Sequence, residues 1–138
     1  MSALTCYQGL EERFRTLGLR SVVLGEPSGD LDLPGIYTAY DGFERSKAGQ
    51  ITAMHHRFVH RLLIRWQDNA AAEMELITLL HAIPAAVDAD PQLGGRVPMG
   101  LASISAGDAG FVTIGGVKYR VVDYTAQVVE KAPFQSGI

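Results

Sequence analysis

From Thr52 to Trp66 the chain alternates without interruption, and few folds accommodate such a run. Met54, His56, Phe58, His60, Leu62, Ile64 and Trp66 fall on one side, and His55, Arg57, Val59, Arg61, Leu63 and Arg65 on the other. Successive side chains of an extended backbone point to opposite faces, so the segment reads as one long strand with a core face and a basic face. A strand of this kind needs a sheet that is covered on one side and open on the other.

The same run, quoted as "HHRFVHRLLIRW" from His55, tempts three chemical readings. As a metal site it fails within the strand, because His56 and His60 stand about 13 Å apart at roughly 3.3 Å per residue. His55 and His56 point to opposite faces, and no cysteine or carboxylate lies among them at ligand spacing. As a nucleic-acid stripe it offers Arg57, Arg61 and Arg65 in a row, which is little electrostatics for a chain of net charge −3. An arginine row paired with carboxylates of a neighbouring subunit is the reading preferred, since the guanidinium fork suits carboxylates and is enriched at interfaces.

The flanking segments supply the covering layer. Leu4, Tyr7, Leu10, Phe14 and Leu17 recur at helical spacing up to Gly18, which ends the helix. "RSVVLGEP" holds a short strand at Ser21 to Leu24, and "PSGDLDLPG" is turn chemistry. A second strand starts at Ile36, and Glu44 to Gln50 is expected to be a polar loop. Asp68 or Asn69 is placed to cap a second helix, with Leu76, Leu79, Leu80, Ile83 and Val87 as its apolar stripe. Pro84 must kink that helix or open a new turn. "DPQLGGRVPMG" is expected to be an ordered excursion, Leu101 to Ser105 a further strand, and "GDAG" at Gly107 to Gly110 a turn. Two β-rich runs flank Gly115-Gly116, the composition of a two-residue hairpin turn. The expected fold class is α+β, a mostly antiparallel sheet with two helices packed on one face, in a single domain over residues 1–130. Residues 131–138, with Phe134 and Ile138, are expected to be a flexible or partner-ordered tail.

Charged residues make up 20% of the 138 residues and hydrophobic ones 47%, an ordinary globular mixture. The apolar stretches read as shorter than the roughly 18 residues a membrane helix requires, so no membrane partner is expected. The single Cys6 suits a reducing compartment and reads as a buried structural residue. No serine has a glycine-flanked elbow, no glycine run has a phosphate-loop context, and Asp88 and Asp90 read as solvated helix-end carboxylates. Neither enzyme chemistry, a cofactor nor a metal is expected.

The order of these segments resembles the tail-terminator, or tail-completion, proteins of long-tailed bacteriophages. "LPGIYTAYDGF" enters a sheet, "HRFVHRLLIRWQD" runs into the helix "NAAAEMELITLLHAIPAAV", and "DADPQLGGRV" precedes the closing "FVTIGGVKYRVVDYTAQVV". The resemblance spans nearly the whole chain. It implies a virion protein, assembled in the host cytoplasm, whose copies form a ring, usually of about six, on the head-proximal end of the tail tube. The implied partners are further copies of the chain, the tail tube protein and the head connector, with genomic DNA passing through the lumen without sequence-specific binding. Interface residues expected on charge and position are Arg45 and Lys47 in the Glu44–Gln50 excursion, Arg57, Arg61 and Arg65 on the strand, Asp88, Asp90 and Arg96 around "DADPQLGGRV", and Phe134 in the tail. Arg96 in particular is expected to pair a neighbour's carboxylate. Two other readings compete: a head-closure or stopper protein of the same virion, and a small soluble α+β enzyme or ligand-binding domain.

Overall fold

The computed structural model describes residues 3–27, 31–66, 69–97 and 99–133. Chain order is α1 (Ala3–Arg15), β1 (Ser21–Leu24), β2 (Gly35–Ala48), β3 (Ile51–Arg65), α2 (Asn69–Leu80), α3 (Ala82–Asp88), β4 (Leu101–Ile114) and β5 (Val117–Pro133). The strands form one sheet in the order β1-β2-β3-β5-β4. Only β1 and β2 run parallel; the other three pairings are antiparallel. The architecture is α+β, as the sequence predicts.

The long alternating run is the sheet's central strand. β3 pairs with β5 along its entire length, from Ile51↔Pro133 to Arg65↔Tyr119, and with β2 on its other side. Its even-numbered face, with Phe58, Leu62 and Ile64, meets Cys6, Leu10 and Phe14 of α1, Ala72 and Leu76 of α2, and Ile83 and Val87 of α3. All three helices therefore cover the same face. Phe14 and Leu10 are completely buried there, and cutting Phe14 to alanine would cost about 3–5 kcal/mol in lost transfer energy and cavity.

The second helix divides where proline chemistry requires it. α2 ends at Leu80 and α3 begins at Ala82, so Pro84 falls in the first turn of the new helix, where its missing N–H removes no intrahelical bond. Asn69 is the first residue of α2, and Asp68 lies outside the described residues. Ala70–Asp88 as a whole runs for 19 residues at mean hydropathy 1.4, which by length and composition alone is enough to cross a membrane, contrary to the sequence expectation. Its inner side packs on the sheet, while Met74 and Ile77 are 69% and 60% exposed.

Two expected loops are strand instead. Glu44 to Ala48 continues β2 and closes on β3 through the two-residue turn Gly49-Gln50, with Ala48 opposite Ile51. Gly49, at φ +62, occupies the first turn position, which favours glycine. "GDAG" is a bulge inside β4, marked by the register shift between Ala106 and Ala109. Gly107 is obligatory there, because a Cβ would stand 2.1 Å from the Asp123 carbonyl oxygen. At Gly115-Gly116 both residues have positive φ, +59 and +79, and join Ile114 to Val117 in the expected hairpin. β5 continues to Pro133, three residues beyond the expected domain boundary, and Phe134 with the rest of the tail lies outside the described residues.

Candidate interaction surface and buried polar cluster

Helices cover one face of the sheet; the other carries the basic row. Arg57 and Arg61 on that face already have partners within the chain. Arg61 forks onto Asp123, its register partner on β5, at 2.7 and 3.1 Å, and Asp123 holds the guanidinium more firmly protonated. Arg57 lies 3.4 Å from Glu44 and 3.8 Å from Asp41, both on β2. Arg65 is exposed at the end of β3, beside a hollow also lined by Arg20 and Glu75. Cross-strand carboxylates of the same sheet thus partner Arg57 and Arg61, where the sequence led to an expectation of a neighbour's carboxylates. The sequence hides this because Asp123 lies 62 positions from Arg61.

The open face is also less open than the alternation suggests. Leu63 is buried in a small second cluster with Tyr37, Tyr119 and Val121, against which Leu31 and Leu33 pack. Further along lies a hollow of about 330 Å³ lined by Tyr37, Val59, Arg61, Asp123 and Thr125.

Arg45 and Lys47 belong to a different surface. Their register partners are Met54 and Thr52, so they point to the helix side of the sheet, whereas Glu44 pairs with His55 on the open side. They stand on an arm where β2 and β3 run past the helices, with Phe43 to Ile51 exposed throughout and β5 forming the third strand.

"DADPQLGGRV" packs on α1 of its own chain. Leu93 is buried and comes so near α1 that a Cβ on Gly9 would lie 2.6 Å from the Leu93 Cβ. Arg96 forks onto Glu12 of α1 at 2.9 and 3.0 Å, so the carboxylate it meets belongs to the same chain, not to a neighbour. Asp90 accepts a hydrogen bond from the Gly94 amide at 2.8 Å and fixes the turn, while Asp88 is exposed at the end of α3.

On the helix side, a group of polar residues that sequence spacing misses comes together. His56 is 4% exposed, Glu130 5% and Cys6 0%. The His56 Nε2 lies 2.6 Å from a Glu130 carboxylate oxygen, and the Tyr40 hydroxyl lies 2.8 Å from Nδ1. Burial, reinforced by the Glu130 carboxylate, pushes the Cys6 thiol up to about 12. The Cys6 sulfur, a His56 ring nitrogen and a Glu130 oxygen all lie within 4.8 Å of one another. Inspection of the histidine run overlooks the group because its ligand-type atoms come from α1, β3 and β5. His60 takes no part: it hydrogen-bonds to the Thr38 hydroxyl at 2.7 Å.

No protein-family model and no curated protein matches the chain. Among solved structures, one chain from the virion of a native gene transfer agent particle is similar over 92% of this chain and 95% of its own, with a TM-score of 0.39 and 17% identity.

Proposed function

We propose that this chain is a virion structural protein whose copies form a ring on the head-proximal end of a phage tail tube. The ring stops tube polymerisation and presents a docking surface to the head connector, and DNA passes through its lumen. No chemistry is required of it. The observation that carries the reading is the exposed arm. The last five residues of β2, Glu44 to Ala48, extend it by about 17 Å, at roughly 3.3 Å per residue. Ordering each residue costs about 1–2 kcal/mol in backbone entropy, and Phe43 to Ile51, exposed at every residue, recover little of that by burial within their own chain. Contacts with partners are the natural compensation.

The sheet's margins support the same reading. β4 is a fourteen-residue edge strand, and its outer backbone groups are a template for pairing. Apolar side chains Leu101, Phe111 and Val117 are exposed along that side of the sheet. A head-to-tail interface that closes by rotation would cover such an edge in every subunit at once. The segment order resembling tail-terminator proteins supplies the identity of the tube as partner.

The test is purified protein mixed with tail tubes, followed by electron microscopy and mass measurement. Rings of about six at one end of the tubes, with tube growth arrested, support the proposal. A protein that stays monomeric or dimeric at high concentration, leaves tubes uncapped and lets them lengthen overturns it.

A further inference from the structure

The geometry points to a zinc-binding site formed by Cys6, His56 and Glu130, joining α1 to β3 and β5. The three residues supply a sulfur, an imidazole nitrogen and a carboxylate oxygen, all ordinary zinc ligands, within 4.8 Å of one another. Tetrahedral coordination at roughly 2.0–2.3 Å per bond sets ligand atoms about 3.3–3.6 Å apart. The closest pair, Nε2 and the Glu130 oxygen at 2.6 Å, has to open by less than about an ångström for an ion to enter.

Charge favours zinc over an apolar alternative. A thiolate and a carboxylate together carry the two negative charges that neutralise a dication, so the loaded cluster is neutral overall among side chains no more than 5% exposed. Without the ion, the chain buries a carboxylate, an imidazole and a thiol where apolar residues of similar volume would be at least as stable. Tyr40 completes the arrangement. With Nε2 on the metal, the imidazole proton moves to Nδ1 and is donated to the Tyr40 oxygen, which orients the ring as second-layer acceptors do in zinc proteins. The thiol gives up its proton to solvent when its sulfur takes the metal. Three protein ligands leave a fourth position for solvent.

The full chain, stripped with a chelator and titrated with zinc, should bind one ion and unfold at a higher temperature. Cobalt in place of zinc should give the absorption of a thiolate-to-metal charge transfer, a direct signature of Cys6 in the unmodified protein. Cys6→Ser should abolish that band and weaken zinc binding by more than a hundredfold. Tyr40→Phe, which leaves all three ligands, should weaken binding about ten- to a hundredfold. Absence of both a zinc-dependent rise in melting temperature and a cobalt–thiolate band overturns the assignment. Zinc binding of unchanged strength in a folded Cys6→Ser protein also overturns it, by placing the ion elsewhere. Neither outcome bears on ring formation, which is read separately.

Discussion

His60 is 1% exposed, with Phe14 edge-on at 4.9 Å and Phe58 stacked beyond it, and its Nε2 faces no hydrogen-bond partner among the described residues. Burial lowers its pKa from 6.5 to about 3. Between those values the unfolded chain binds a proton that the native one refuses, so the stability contribution is complete above about pH 6.5 and falls as pH drops through the window. At pH 4.5 this one group should remove about 2–3 kcal/mol relative to pH 7. Urea unfolding of His60→Leu at both values should show an acid loss smaller by that amount; an unchanged loss would contradict the assignment of a neutral native imidazole. Gly107→Ala is expected to destabilise the protein by about 2–3 kcal/mol, because its Cβ meets a backbone oxygen that cannot give way, and the denaturation midpoint measures it. Arg96→Ala should cost the isolated subunit roughly 0.5–1 kcal/mol through loss of the Glu12 fork. These roles divide by how far information travels along the chain. A histidine on the core face of β3 is visible from alternation, whereas the Thr38, Glu130 and Cys6 contacts depend on strand order.

At the scale of elements, what the sequence disclosed follows from where a periodic pattern meets the core. Thr52 to Trp66 was legible because nearly every second side chain is buried, and Gly115-Gly116 because the turn demands positive φ at both positions. Glu44 to Gln50 reads as a loop for an equally physical reason: beyond the helices no face of β2 is buried, so hydrophobic alternation has nothing to enforce it. "GDAG" imitates a turn because a bulge uses the same small residues. The arm and the body are consequently separable. Replacing residues 45–54 by a two-residue Asn-Gly turn, which joins the register pair Glu44 and His55, should leave the melting temperature within a few degrees of the parent, since most of the residues removed are exposed. The shortened protein should nonetheless fail to cap tail tubes in sedimentation with tubes. Retention of full capping by a folded, armless protein would move the contact elsewhere on the surface.

As a whole molecule, the subunit has one well-covered face and several incomplete margins. The helices and β3 bury a core that is self-sufficient, with Phe14, Leu62, Val122 and Tyr124 all at or below 1% exposure. Outside it stand the arm, the β4 edge and the exposed side of α2 with Met74 and Ile77, which belong to three different sides of the sheet. An assembly that contacts copies laterally and other proteins axially needs surfaces distributed in this way. The arginine row stands out in the sequence, yet two of its members, Arg57 and Arg61, meet carboxylates of the same sheet, so the proposed assembly draws more on backbone edges and apolar margins than on the row as a whole. Electron microscopy of the purified protein with growing tail tubes tests this most directly. The account predicts closed rings of about six subunits on one tube end and tubes that stop lengthening; uncapped tubes that keep growing alongside monomeric protein would contradict it.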